Sequence, residues 1–273
     1  MLGDRRAVLV STASTIVFFL VLGLILYLSP GFDLVRERFF DWTAMRESFF
    51  GSHNTPAIWS AFLLNVKMFM IAEPLILILA LVIAIVRQIP GPVFFPFRLV
   101  AVVYTDFFRG VPLLLVVILL GFGVPGLQMQ GVSHYDVQVY GIAALVLSYS
   151  AYVAEVYRAG IESIHPSQIA AARSLGLTRL QALRHVVVPQ AVRRVIPPLL
   201  NDFISLQKDT ALVSTLGAIE ALRAAQIYMN LTFNYSSLLV AAFLFILITI
   251  PLARFTDRLI ARGQQRRGAT TAR

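Results

Sequence analysis

The chain has 273 residues, is 58% hydrophobic and only 14% charged, and has a mean hydropathy of +0.77; this balance excludes an ordinary soluble domain and makes the bilayer its natural solvent. The formal charge of +9 comes from 21 arginines and two lysines, and in a membrane protein such basicity sets orientation as well as any contact with nucleic acid. The absence of cysteine excludes a disulfide framework, a thiolate metal site and a cysteine nucleophile.

The first apolar run, Ala7 to Ser29, follows Arg5 and Arg6. It exceeds the roughly 7–15 residues of a secretory core and ends in Ser29-Pro30-Gly31 with no small-x-small cleavage pattern, so it predicts a retained transmembrane helix. Residues 30–56 mix Asp33, Arg36, Glu37, Arg38, Asp41, Arg46 and Glu47 with Trp42 and aromatic pairs, as an amphipathic interfacial segment does. Residues 1–56 thus read as an N-terminal membrane helix and an extracytoplasmic amphipathic stretch. A second span runs from Ile58 to Val86, with Lys67 and Glu73-Pro74 inside it, before the turn "RQIPGP".

Val93 to Phe122 is apolar for 30 residues but holds Arg98, Asp106 and Arg109 in its first half. It is too long for one span, which predicts a tilted or interfacial helix leading into a membrane segment that begins near Val111-Pro112. A fourth span covers Val137 to Tyr157, a fifth Ile196 to Leu216 and a sixth Tyr235 to Phe255, so that 57–256 forms the transmembrane domain. The basic tail, 257–273, reads as disordered near its end. The whole is an all-α membrane protein of about six transmembrane helices. Sixteen flanking arginines lie on the side of both termini and of the polar segment 158–190 with its flank, against four (Arg36, Arg38, Arg46, Arg223) on the other side. The positive-inside rule then puts both termini and that segment in the cytoplasm.

Within the segment, Pro166 suits a first helical turn, Ala170 to Ala172 favour helix, and Gly176 suits a left-handed stop. Thr178 and Gln181 have capping-box spacing for a second helix, which Pro189 ends by removing a donor. Three readings stand open at this point. The segment is a solvated helical loop with arginines facing water and anionic lipid; or a DNA-binding helix-turn-helix on the spacing of Ala172, Gly176 and Ala182, with Arg173, Arg179 and Arg184 for phosphate; or a rigid docking element for a partner. Tethering to a span at each end sets DNA binding against the bilayer surface. No G-x-x-x-x-G-K-[ST] loop, H-E-x-x-H or G-x-S-x-G motif occurs, so ATP chemistry and catalysis have no constellation in this chain, and no metal ligand set is expected.

Two stretches then carry a resemblance: "SYSAYVAEVYRAGIESIHPSQIAAARSLGLTRLQALRHVVVPQAVRRVIPPLLNDFISLQKDTALVSTLGAIE", Ser148 to Glu220, and "YTDFFRGVPLLLVVILLGFGVP", Tyr104 to Pro125. Both resemble the permease subunits of ATP-binding cassette importers for polar amino acids. The resemblance implies a type I importer core of five spans plus an extra N-terminal helix, in a multi-pass protein of the bacterial inner membrane. It implies a second permease subunit, ATPase subunits that hold the ATP and Mg, and an extracytoplasmic substrate-binding protein. The expected ligands are a polar amino acid and the lipid bilayer, with no nucleic acid and no enzymatic activity in this chain. It places the coupling helix on Ala170, Ala171, Ala172, Arg173, Gly176, Leu177 and Pro189, with Ala170 where the family has glutamate. The competing class is an ion-coupled secondary transporter, against which the coupling-segment match and the lack of paired relay acids both speak.

Charges inside spans cost about 2.5–3.5 kcal/mol each and face bundle interiors. Candidates for a substrate path are Glu73, Glu155, Asn201, Lys208, Asp209 and Thr210. For Glu73 the alternative is a kink at Pro74 with an ion pair to Lys67, for Glu155 a pair with Arg158, and for the Asn201 to Thr210 run packing between permease subunits. Asp106 and Arg109 read as an ion pair or gate brace beside Gly110 and Pro112.

Overall fold

The computed structural model describes residues 5–271, and all of its regular elements are helices. Helix α1 (Arg5–Tyr27) has a central window with mean hydropathy 2.5 and none of it buried by protein, so lipid is its solvent. Two short helices, α2 (Phe32–Phe39) and α3 (Trp42–Phe50), follow. Asp41 caps α3 by accepting the N–H groups of Thr43 (2.8 Å) and Ala44 (3.3 Å), which meets two of the donors that a helix start leaves open.

The central packing unit is formed by α4 (Ile58–Gln88), α8 (Val137–Glu162) and α11 (Val188–Asp209). Its core joins Met68 and Ile76 of α4, Ala144 and Leu145 of α8, and Leu206 of α11. Close approach of α8 to α11 depends on Gly160, where a Cβ would overlap Val195. A second cluster sets Ile58 and Phe62 against α12 (Ala221–Thr232) and α13 (Ser236–Thr271) through Ala221, Ala224 and Ala241.

The long apolar region breaks as expected. Helix α5 (Phe95–Gly110) meets α6 (Leu113–Ile118) at a bend of 106°, with Val111 and Pro112 extended between them. A π turn (Leu119–Gly123) and α7 (Val124–Gly126) complete this arm. Among the described residues, four helices, α1, α4, α8 and α13, are long and apolar enough to cross a bilayer, or five if the bent pair forms a single span. The fifth span expected over 196–216 falls on α11 and a following 3-10 turn (Thr210–Leu216). Arg193, Arg194, Asp202, Lys208 and Asp209 make α11 the least apolar of the long helices. It is tolerated because it packs against α8, α13 and α4 rather than standing alone in lipid.

Helix α13 runs past the last expected span to Thr271, through a stretch rich in arginine, glutamine and alanine, which are good helix formers; the disorder expected near the end of the tail bears on its last residues, of which 272–273 are not described. Residues 1–4 and 272–273 lie outside the described chain.

The α2–α3 segment is tied to α12 and to the start of α13 by contacts that no local pattern announces. The Tyr235 N–H donates to the Arg38 carbonyl (2.7 Å), the Asp41 N–H to Ser236 Oγ (3.0 Å) and Tyr228 Oη to Glu47 Oε2 (3.0 Å). The Phe39 and Tyr235 rings stack at 5.0 Å. Burial and the Glu47 carboxylate push the Tyr228 phenol up to about 12, so it remains a donor throughout the physiological range.

Candidate functional site

At one end of the bundle stands a helix pair, α9 (Pro166–Ser174) and α10 (Arg179–Ala182). His165 caps α9 by accepting the Ser167 N–H (3.2 Å), with Pro166 in the first turn. The helix closes in a Schellman arrangement: the Leu177 N–H donates to the Ala172 carbonyl (3.2 Å) and the Gly176 N–H to that of Arg173 (3.0 Å). Gly176 has φ +85°. A Cβ there would meet nothing within 4 Å, so the demand on this position is conformational, not spatial. Thr178 and Gln181 form the capping box, Thr178 N–H to Gln181 Oε1 at 2.8 Å and Gln181 N–H to Thr178 Oγ1 at 3.2 Å.

Pro189 does not end the second helix, contrary to the sequence reading. From α10 the chain widens into a π turn (Leu183–Val187) and runs directly into α11. The Val188 N–H reaches back to the Leu183 carbonyl, and Gln190 Nε2 donates to the Val186 carbonyl (3.0 Å). The wider turn accommodates the missing proline donor, and helical backbone runs on through it. Gln190 Nε2 also donates to Gln168 Oε1 (2.9 Å), so α9 is fastened to α11 as well as to α10, and the Arg194 guanidinium donates to the Ser163 carbonyl at the end of α8.

Ala172 is 6% exposed, buried within the helix pair with Ala182 and Val187. Of the residues that the resemblance places on the coupling helix, Ala172 packs inward while Ala170, Ala171 and Arg173 are exposed. Leu177 is half-buried. Beside Ala170 and Ala171 stand large apolar side chains that sequence reasoning passed over, Leu175 at 81% and Leu180 at 74% exposure. The available signal was a leucine on either side of the glycine turn.

Deeper in the bundle, the Phe69 and Phe203 rings meet edge to face at 4.5 Å. Glu73 lies one turn beyond Phe69 and Asp202 directly before Phe203, so the two carboxylates occupy one layer between α4 and α11. They are near enough to act on each other electrostatically, with Tyr157 of α8 also within reach of Glu73. Asp202 Oδ2 is buried with no hydrogen-bond partner among the described residues. No ion pair joins Glu73 to Lys67 among the described residues: six residues apart on a helix they point to different faces, and Lys67 is exposed. The expected Asp106–Arg109 pair is likewise not formed among the described residues. Both side chains are exposed, where pairing gains little and ordering two long side chains costs entropy. The Arg109 carbonyl instead accepts Tyr152 Oη (3.2 Å), which holds the corner formed by Gly110 and Pro112 against α8.

Three of the other candidates, Glu155, Asp209 and Thr210, are already committed. Glu155 accepts Arg87 Nη1 at 2.8 Å and pairs with Arg158, which also reaches Glu162, so its charge joins α4 to α8. Asp209 accepts Tyr149 Oη (2.6 Å). Thr210 donates to the Gln207 carbonyl (2.8 Å) and accepts from Asn65 Nδ2 (3.1 Å). Asn65 also donates to Glu220 Oε2 (2.9 Å) and accepts the Ala221 N–H (3.1 Å), while Glu220, fully buried, accepts the N–H groups of Leu222 and Arg223. Asn201 and Lys208 are exposed on one face of α11. Asn65 and Glu220 were missed from the sequence; the sign available for the first was an uncharged polar residue among the apolar residues of the second run.

With that geometry in hand, the chain can be set beside known proteins. It is 34% identical over 179 residues to the "Probable glutamine ABC transporter permease protein GlnM" of Bacillus subtilis (strain 168), covering 64% of this chain and 79% of that one. It is 38% identical over 161 residues to the "Probable amino-acid ABC transporter permease protein PatM" of Vibrio harveyi, covering 58% and 70%. A solved chain described as "an amino acid ABC transporter with histidines" superposes with a TM-score of 0.68 at 32% identity, over 75% of this chain and 93% of that one. The family model described as "Binding-protein-dependent transport system inner membrane component" matches residues 93–266. Those residues hold the helix pair, α8, α11 and the corner at Gly110 and Pro112, and the chain belongs to that family of membrane transport components.

Proposed function

We propose that this chain is the permease subunit of an ATP-driven importer of polar amino acids. It works beside a second permease subunit, with ATPase subunits that bind the ATP and Mg and a substrate-binding protein on the far side. The observation that carries this reading is the helix pair α9–α10. It is capped at both starts, closed by a left-handed glycine, fastened to α11 by the Gln190–Gln168 bond, and presents Ala170, Ala171, Leu175 and Leu180 outward. A rigid body with an exposed apolar tip at the end of a membrane bundle fits a cleft in a partner and transmits displacement to α11. A solvated loop has no need of either property. Ala170 replaces a carboxylate with a methyl at that contact and favours the helix.

By the arginine distribution, this end and both termini face the cytoplasm, in the inner membrane of a bacterium, and α2, α3 and α12 lie outside. Displacement of α11 moves Asp202 past Glu73, and that carboxylate layer forms part of the path. The ammonium group common to all amino acids is the moiety it suits.

The test uses the complete transporter in vesicles. Uptake of labelled polar amino acids requires ATP and the ATPase subunit, and Glu73→Ala lowers uptake at least tenfold while the ATPase still co-purifies. Uptake driven by an ion gradient without ATP overturns the reading in favour of a secondary transporter. Cysteines placed singly at Gln128 and Thr178 label from opposite sides; labelling of both from one side overturns the orientation.

A further inference from the structure

At the end of the bundle opposite the helix pair lies a cavity of about 520 Å³, within the ~300–1,000 Å³ typical of small-molecule sites. It opens between the 3-10 turn, the start of α12 and the π turn of the bent arm, and Ser214, Thr215, Gly217, Arg223, Gln226 and Phe122 line it. Its chemistry is unlike that of the carboxylate layer deeper in the bundle. Arg223 is half-buried, and its guanidinium makes no hydrogen bond or ion pair among the described residues. Glu220, three residues before Arg223, is turned inward: fully buried, it accepts two backbone N–H groups and Asn65 Nδ2, and it does not line the cavity. No acidic side chain lines the cavity.

A half-buried guanidinium without a counter-charge, at the mouth of a roomy polar cavity, is an incomplete arrangement. The partner it suits is a planar anion that accepts two parallel N–H bonds, which describes a carboxylate. Gln226 adds an amide that can donate beside it. Thr215 Oγ1 already donates to the Leu212 carbonyl (2.7 Å), so among the polar lining groups the donors left free are Arg223, Gln226 and the Ser214 hydroxyl.

We propose that this cavity is an entry subsite that receives the α-carboxylate of the incoming amino acid, with Arg223 as the recognising group and Gln226 as its neighbour. The inference rests on the amino-acid import reading above. The zwitterion arrives with its carboxylate on Arg223, and its ammonium is drawn next toward Glu73 and Asp202. The open setting keeps the bond weak enough to release, as a transfer site on a conducting path requires.

The experiment uses the complete transporter in vesicles, with labelled glutamine, glutamate, arginine and histidine as probes, and takes forward the one carried fastest. Arg223→Gln is expected to raise its KM about tenfold with kcat within twofold, Arg223→Lys to fall between because it keeps the charge and loses the fork, and Gln226→Ala to raise KM about threefold. In this cysteine-free chain, Thr215→Cys provides a direct reading of occupancy, since Thr215 is exposed at the cavity. The amino acid slows its reaction with an impermeant maleimide, the α-carboxamide of the same amino acid does not, and adding Arg223→Gln abolishes the protection. An unchanged KM in Arg223→Gln, or equal protection by the carboxamide, overturns the subsite. So does loss of the binding protein or of the second permease from the Arg223→Gln complex, which assigns Arg223 to a carboxylate on a protein partner. Uptake of none of the four by the unsubstituted complex overturns the import reading, and the subsite with it.

Discussion

The helix pair and the buried polar layer solve the same problem, fixing polar groups at defined positions, in opposite ways. In the pair the partners are close in sequence: His165 with Ser167, Ala172 with Leu177, Thr178 with Gln181. In the bundle they are far apart: Asn65 with Thr210 and Glu220, Tyr149 with Asp209, Arg87 with Glu155. Local caps make a module that is stiff by itself and can be displaced whole. Long-range bonds make a frame whose loss is felt throughout the membrane domain. On the proposed function, the first region suits transmission and the second scaffolding.

The sharpest way to break that comparison is Asn65→Leu. It removes three hydrogen bonds at once and leaves the fully buried Glu220 with backbone donors only. Leaving buried polar groups unpaired costs about 1–3 kcal/mol apiece, so the expected loss is about 2–4 kcal/mol. It is measured as a lower thermal midpoint of the detergent-solubilised permease and a lower yield. A midpoint within a degree of the unsubstituted protein would show that the frame does not depend on this network.

The same contrast explains what the sequence disclosed. The pair was legible because capping boxes, a first-turn proline and a left-handed glycine are short-range patterns, and Gly176 and Thr178 sit as read. The bend at Val111-Pro112 was legible because 30 apolar residues do not fit one span. Pro189 misled because the remedy for its missing donor, a π turn that widens the preceding residues, depends on how the backbone runs into the following helix. Asn65, Glu220 and the Asp41–Ser236 tie were illegible for a different reason: nothing within a helical turn of any of these residues names a partner more than a hundred positions away. The inward turn of Ala172 beside the outward Ala171 depends on how α10 packs back, which periodicity over three alanines does not determine.

A smaller effect is expected in the local module. Gly176→Val forces a β-branched residue to φ +85°, a strain of about 1–3 kcal/mol that falls on the turn. Thr178→Ala removes the capping box for about 1 kcal/mol. Both variants insert and pair with their dimer mate. Gly176→Val loses substrate-stimulated hydrolysis in reconstituted vesicles, and Thr178→Ala lowers it by a fraction. If Thr178→Ala proved as damaging to the thermal midpoint as Asn65→Leu, the division between module and frame would fail.

The smallest expected effect on stability belongs to Ala171→Glu, and for that reason it tests the comparison most cleanly. Ala171 is exposed, one position before the buried Ala172. Glutamate is a good helix former, and an exposed substitution changes stability by less than about 0.5 kcal/mol, so the permease alone melts as before. In a partner's cleft the same carboxylate is desolvated without a counter-charge, which is costly. The ATPase subunit is therefore expected to be lost on co-purification while yield and thermal midpoint stay unchanged. Ala172→Glu supplies the contrast: its carboxylate is driven into the packed side of α9, so this variant loses stability as well as coupling. Separation of the two readouts at adjacent residues marks where the module ends and the partner begins. If Ala171→Glu retained both the ATPase and its stimulated hydrolysis, the exposed alanines and leucines of the pair would be a solvated surface, and transmission through this segment would have no residue to act on.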